Sequence, residues 1–376
     1  MYKSESAVYL DNAATTFPKP PCVMRAVRDT VLHHGGNPGR SAHRLAMEAA
    51  DAVFCAREAV AELLHICAPE RVVFTMNATY ALNMSIKCAI KAPCHVLISD
   101  LEHNAVVRPL EALREAGRIE YSVFSTKGDV RENILRALKR NTRMLVCTLA
   151  SNICGREVPI ELLSDIRREK GLYTVADASQ LLGHADISLD AHPVDALCAP
   201  AHKGLFGIQG CGIAVFPMQP PSETWAQGGS GSESRSRSMP TALPERLEAG
   251  TLPTPSIAAL SAGIRYIESC GLEAIEEHLS HLTEQLKQGL GRLGHLRTVD
   301  TAGHGIVSIL HDRLSPERLA AELDREGICV RAGLQCAPLA HETVGTADTG
   351  TLRISLSQLN TSEEIDILLR ALFRLT

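Results

Sequence analysis

Residues 144–177 read MLVCTLASNICGREVPIELLSDIRREKGLYTVAD. The run Met144–Cys147 is apolar without alternation, Tyr173–Ala176 is nearly so, and the stretch 160–170 between them reads as a helix. A strand with helices against both faces keeps no polar face, so its sequence stays apolar throughout; two such runs joined by a helix describe a parallel crossover unit. The same alternation extends toward the N-terminus: His95–Ile98 precedes a helical stretch at 104–116, and Val72–Phe74 precedes one at 79–91. Further back, Leu45, Ala49, Ala52, Val53, Ala56, Val60, Leu63 and Leu64 recur at helical spacing and predict a long amphipathic helix over 41–65. These elements predict an α/β fold built on a mostly parallel sheet covered on both sides.

The pattern changes after about residue 216. Residues 226–240 (AQGGSGSESRSRSMP) are polar and without period, and read as a mobile surface loop; an Arg/Ser-rich RNA-binding tract is the alternative, weakened by the presence of only two arginines. Helices are then predicted at 256–270, 272–293, 315–326 and 361–374, with strands at 305–310 and 352–355, as in a smaller α/β unit. The 376 residues are 45% hydrophobic and 22% charged, which excludes a disordered or fibrous chain. A net charge of −5 provides no field that would attract nucleic acid or an anionic membrane, and no run is apolar and long enough to span a bilayer. The opening MYKSESAVYLDNAATT lacks the pattern of a secretion signal, so a cytoplasmic location is expected. None of the twelve cysteines stands in a C-x-x-C pair, so most are read as small buried hydrophobes rather than as metal ligands, and no metal is expected.

Several residues stand out chemically. Lys203, after the apolar run 195–199 and before Gly204, Gly207, Gly210 and Gly212, is not placed as a routine solvated lysine; one enzymatic reason for the placement is to hold a carbonyl cofactor as a Schiff base. Asp177 closes its own apolar run; it either caps a helix or supplies the carboxylate that keeps a pyridine nitrogen protonated. The turn Thr75–Thr79 between strand and helix can cradle a phosphate. His103 is open to three readings: a satisfied polar residue, a metal ligand, or a ring stacked on a cofactor. His278 and His281, on a charged helix face, receive no role. Cys336, in RAGLQCAPLAH, is read as loop-borne and accessible, as a nucleophilic thiol must be. Arg353 either holds a substrate carboxylate through its planar fork or is an exposed strand arginine.

Taken together, YLDNAATT (9–16), Glu102-His103, Ser151-Asn152, Asp177-Ala-Ser-Gln180, His202-Lys203 and Glu248-Ala-Gly-Thr251 resemble, in order and over nearly the whole chain, the class V aminotransferase family, and within it the cysteine desulfurases. The resemblance implies the fold type I of pyridoxal 5′-phosphate-dependent transferases (aspartate aminotransferase-like): a large domain at 15–255 with a mixed, mostly parallel sheet, and a smaller α/β domain at 256–376 joined by residues 1–14. It implies Lys203 as the cofactor-bearing lysine, Asp177 at the ring nitrogen, His103 over the ring and Gln180 at the phenolic oxygen. Ala78, Thr79 and His202 would meet the phosphate, with Gly250 and Thr251 reaching it from the second subunit of a homodimer. Asn152, Arg353 and Arg331 would bind substrate, and Cys336 matches the persulfide-forming cysteine of the group II (SufS-like) enzymes. The implied reaction converts L-cysteine to L-alanine and leaves sulfur on Cys336, for iron–sulfur cluster assembly or thiolation, through an acceptor protein of the SufE or SufU type.

Three positions depart from the family pattern: Pro200 replaces a hydroxyl residue near the phosphate, Ala78 a frequent threonine, and Gln335 a histidine before the cysteine. Arg331 or His341 is the expected source of positive charge for the Cys336 thiol. The competing readings are a selenocysteine lyase or another C–S lyase or aminotransferase with the same cofactor, and a non-catalytic sulfur-carrier scaffold. Retention of Lys203 and Asp177 argues against the last.

Overall fold

A computed structural model describes residues 7–39, 41–221, 223–300 and 305–375. The first half contains β1 (Val8–Tyr9), α1 (Pro21–His33), α2 (Arg44–Leu63), β2 (Val72–Thr75), α3 (Ala78–Lys87), β3 (Cys94–Ser99), α4 (Asn104–Glu115), β4 (Ile119–Phe124), α5 (Val130–Ala137), β5 (Thr142–Thr148), α6 (Ile160–Lys170) and β6 (Tyr173–Asp177). The second contains β7 (Ala196–Pro200), β8 (Gly212–Val215), α7 (Thr254–Cys270), α8 (Leu272–Leu290), β9 (Leu296–Val299), β10 (Ile306–His311), α9 (Pro316–Arg325), β11 (Ile328–Cys329), β12 (Arg331–Gly333), α10 (Pro338–Val344), β13 (Thr351–Ser355) and α11 (Ser362–Arg374).

Seven strands form the main sheet in the order β2-β8-β7-β6-β5-β3-β4. All neighbours are parallel except β8, which runs antiparallel to both β7 and β2. Two-sided burial explains the apolar runs. Successive residues of one strand point to opposite faces, so Leu97, Leu145, Cys147, Ala176 and Leu197 enter one core. Their neighbours Val96, Ile98, Val146, Val175 and Cys198 enter another, beneath α3 and α4. Register then brings the carboxyl ends of the parallel strands together beside the amino end of β8, pairing Thr148 with Asp177, Asp177 with Cys198, and Gly212 with both Pro200 and Thr75. Ligands of open α/β sheets collect at that edge.

A second, antiparallel sheet has the order β12-β13-β10-β9, and β1 pairs in parallel with β11. The N-terminal strand therefore lies with the C-terminal part of the chain. We propose the division into 15–255 and 256–376 with 1–14, noting that α7 packs chiefly on α1 and α2 and so joins the two parts; residues 1–6 lie outside the described residues.

Neither α1 nor the pair β4 and α5 is predicted from the sequence. The reason at β4 is physical: it is the edge strand, and Glu120 and Val123 are exposed, so no continuous apolar run marks it. The cysteine expectation is corrected: six of the twelve are buried, while Cys55, Cys67, Cys270 and Cys336 are exposed. Residues 226–240 contain no helix or strand and are exposed apart from half-buried Ser230 and Met239 and buried Pro240.

Candidate active site

The sheet's carboxyl edge opens into a cleft lined by Asn77, Ala78, Thr79, His103, Asn152, Asp177, Gln180, Pro200, His202 and Lys203. Each follows from a strand end: Asn77–Thr79 after β2, His103 after β3, Asn152 after β5, Asp177 at the end of β6, and His202-Lys203 after β7.

At α3, Asn77 is the N-cap and its side chain accepts from Tyr80 N at 3.1 Å, which leaves the first N–H groups of the helix for an anion. The strand behind this turn must be bare: a Cβ on Gly212 would lie 2.4 Å from the Asn77 carbonyl carbon. The His202-Lys203 turn is clamped from the N-terminal segment. Thr15 Oγ1 and Lys19 Nζ donate to His202 O at 3.1 and 2.8 Å, and Thr16 Oγ1 donates to Lys203 O at 3.1 Å. From the other side α7 presses close, so that a Cβ on Gly263 would stand 2.0 Å from Leu205 O. The role of Lys19 here is structural, and burial lowers its pKa to about 7.

Electrostatics single out Lys203. Burial lowers its pKa to about 8, opposed by Asp177 and reinforced by Arg353 and Arg331. At pH 7 about one Lys203 in ten is then a neutral amine, against about one in 3,000 for an ordinary lysine. Asp177 is buried, and one of its carboxylate oxygens accepts from Ser179 N at 2.9 Å. His103 caps α4, its Nδ1 accepting from Ala105 N at 3.0 Å, so the ring proton sits on Nε2. Burial, with Lys203 next, lowers its pKa to about 4; His202 is lowered to about 4 by the same causes. His202 Nδ1 is buried without a hydrogen-bond partner. Gln180 donates to Ala13 O at 3.1 Å.

Both histidines bind fewer protons folded than unfolded between about pH 6.5 and 4, so they make stability fall as pH falls through that window. Replacing both by glutamine is expected to flatten the loss of stability between pH 7 and 5, read as urea midpoints of wild type and variant at the two pH values.

Arg353, on β13, is buried rather than an exposed strand residue. Its Nη2 donates to Asp11 Oδ1 at 2.6 Å and its Nη1 to Asn152 O at 3.1 Å, while Nε has no partner. It does not line the cleft itself; Asn152, whose carbonyl it holds, does. Asp11 was not singled out in the sequence, although it lies in the motif YLDNAATT. Arg331 pairs with Arg353 across β12 and β13.

Cys336 is exposed, and with Thr79, His103, Asn104 and Arg108 it lines a groove adjoining the cleft. The expectation that His341 supplies positive charge to this thiol is corrected. His341 is fully buried, hydrogen-bonded to Thr346 and Gln335, and burial lowers its pKa, so it stays neutral. Arg331 is the remaining candidate of the two.

Gly250 and Thr251 are exposed and do not line their own chain's cleft. Their segment is anchored by Glu248, which pairs through both oxygens with Arg57 and accepts from Phe74 N at 2.6 Å; Arg57 also lies 4.6 Å from the Phe74 ring centre. Both charges are buried, so Glu248→Ala is expected to cost about 3–5 kcal/mol of stability by leaving Arg57 unpaired. Urea denaturation checks this, and the double variant Arg57→Met, Glu248→Leu should recover most of the loss.

Residues 8–368 match the family model described as Aminotransferase class-V. A "Probable cysteine desulfurase" of Vibrio cholerae is 30% identical, aligned over 98% of this chain and 93% of its own length. Another of Methanothermobacter thermautotrophicus is 31% identical over 96% of this chain and 92% of its own. Among solved structures, the apo cysteine desulfurase of Thermococcus onnurineus superposes with a TM-score of 0.88 at 27% identity, covering 98% of this chain and 94% of the other.

Proposed function

Because the chain belongs to the aminotransferase class-V family, we propose that it is a cysteine desulfurase of the group II type, converting L-cysteine to L-alanine with its sulfur left on Cys336. The observation that carries this reading is the convergence at one sheet edge of Lys203, its pKa lowered to about 8 by burial, with buried Asp177, beside an exposed cysteine at the cleft's mouth.

The cleft fits pyridoxal 5′-phosphate. A helix N-terminus at Ala78 and Thr79, together with the unpartnered His202 Nδ1, suits a phosphate; Lys203 suits an aldehyde and Asp177 a pyridinium. Gln180 and His103 would hold the ring. Pro200 has no hydroxyl to add, so the phosphate would rest on the remaining donors. When bound, the cofactor supplies an electron sink for the substrate's Cα–H bond electrons.

The chain's own residues do the rest. Lys203 Nζ, as a neutral amine, takes the Cα proton. Asn152, with Arg353 behind it, orients the substrate carboxylate, and Arg331 adds positive charge to that end of the cleft. The Cys336 thiolate attacks the substrate sulfur: an S–S bond forms, the C–S bond breaks with its electron pair going to Cβ, which takes a proton, and the proton held on Lys203 Nζ returns to Cα to complete alanine. No external oxidant or reductant is required.

A homodimer is part of this reading. It is supported by the exposed Gly250-Thr251 segment, free to reach a second copy's phosphate site, and by exposed Met24, Val31 and Leu32 on α1 with Met47 and Phe54 on α2. The persulfide would pass to a SufE- or SufU-type acceptor. No described helix is long and apolar enough to cross a membrane, and a cytoplasmic location is consistent with that.

The test is an anaerobic assay of the purified protein with L-cysteine and dithiothreitol. Alanine and sulfide in equal amounts from a yellow protein support the reading; pyruvate instead of alanine points to a C–S lyase.

A further inference from the structure

Cys336 lies between β12 and α10, in a segment with no regular secondary structure, yet its conformation is tightly specified. Gln335 (φ 41°) and Cys336 (φ 59°) are both in the left-handed region, which side chains other than glycine avoid. Two such residues in succession persist only where the surroundings hold them.

The surroundings are a buried polar relay. The Gln335 amide nitrogen donates to Thr351 O at 3.0 Å and toward Arg331 O at 3.3 Å. Those two carbonyls can only accept, so the amide oxygen must turn to His341 Nε2, 2.9 Å away. His341 therefore carries its proton on Nε2, and its Nδ1 accepts the Thr346 hydroxyl at 2.7 Å. Gln335, His341 and Thr346 are all buried. The main chain is tied to the cleft as well: Asn152 Nδ2 donates to Gln335 O at 2.9 Å, and Asn104 N, next to His103, donates to Cys336 O at 2.8 Å.

We propose that Gln335, oriented by His341 and Thr346, is a positioning residue that holds the Cys336 sulfur at the mouth of the cleft. The inference rests on the reading of Cys336 as the sulfur-accepting thiol. It gives the residue before the cysteine a holding role that needs no proton transfer, since an amide neither gains nor loses a proton at ordinary pH. The relay also works in one tautomer only: a His341 protonated on Nδ1 alone would set a bare nitrogen against the Gln335 oxygen.

Two near-isosteric variants of the cofactor-loaded enzyme test it. Gln335→Glu sets a carboxylate against the Thr351 and Arg331 carbonyls, and Thr346→Val removes the hydroxyl from which His341 Nδ1 accepts, leaving that buried nitrogen unpaired. Both are expected to lower kcat for alanine formation about 10- to 100-fold with KM within about threefold of wild type, because a misplaced thiol slows only sulfur transfer. The absorbance change on first mixing with L-cysteine should keep its wild-type rate. Alkylation of Cys336 by iodoacetamide, without L-cysteine, should shift several-fold in rate. Gln335→Glu should also regain activity as pH is lowered, since a protonated carboxyl can donate to one carbonyl. Wild-type kcat and alkylation in both variants would overturn the proposal, as would loss of the initial absorbance change together with kcat. Cys336→Ala, assayed alongside, separates the two levels: full sulfur release without the thiol overturns the reading beneath, whereas its loss beside unaltered Gln335 and Thr346 variants overturns the positioning role alone.

Discussion

Cys336→Ala is expected to reduce alanine and sulfide formation from L-cysteine by on the order of 10³-fold or more, because it removes the only atom proposed to take the sulfur. The loss should be selective. The Cys336 side chain is exposed, while the hydrogen bonds that shape its loop run through the Gln335 side chain and through main-chain carbonyls that alanine retains. The variant should therefore unfold at the wild-type urea midpoint, bind pyridoxal 5′-phosphate with the same affinity, and change absorbance when L-cysteine is added. Cys336→Ser should behave alike, since a hydroxyl cannot accept sulfur by this route. A persulfide detected by mass on the wild-type peptide spanning Cys336 after a single turnover, and absent from both variants, would complete the assignment. Undiminished sulfide release by Cys336→Ala would remove the thiol from the mechanism, and pyruvate in place of alanine would then favour a lyase.

Lys203→Ala is expected to remove activity by about 10⁴-fold or more, because it deletes both the group proposed to carry the cofactor and the base proposed to take the Cα proton. It should also leave no peptide containing residue 203 to which borohydride reduction fixes the added cofactor, as it would fix it on Lys203 in the wild type. Stability provides the control. Burial disfavours the charged form of Lys203, and Arg353 and Arg331 add to the effect, so replacing it relieves an unfavourable charge. The apoprotein variant should then unfold at or above the wild-type midpoint, and a fall would mark a structural fault instead. The pH dependence of reconstitution is a further check. With its pKa lowered to about 8, Lys203 should react with added cofactor at a rate that rises with pH and levels off above about 8, where an ordinary lysine would keep rising toward 10 and beyond.

How far the sequence could be read follows from where each interaction lies along the chain. The interior strands β3, β5, β6 and β7 were legible because burial on both faces writes a continuous apolar run. The edge strand β4 was not, since one of its sides has no neighbour and its sequence mixes exposed and buried residues. In the candidate site, Thr79, His103, Asp177 and Lys203 were legible for a related reason: each follows closely on a strand, where an α/β sheet collects its ligands. The resemblance to a known family then added the roles that position alone does not carry.

The chain's local order thus determined the α/β class, the sheet interior and the short segments that bear chemistry, because strand burial and helix periodicity are written within a few residues of one another. What only the tertiary structure decided is what depends on partners far apart in sequence. The Asp11–Arg353 pair spans 342 positions, and the Arg57–Glu248 pair 191. The clamp of Lys19 on the His202 carbonyl spans 183. Neither the four cysteines that stay exposed nor the neutral, buried state of His341 has a local signature. Burial is a property of the packed core, and a side chain's charge state follows from the dielectric and the hydrogen-bond partners that packing brings to it.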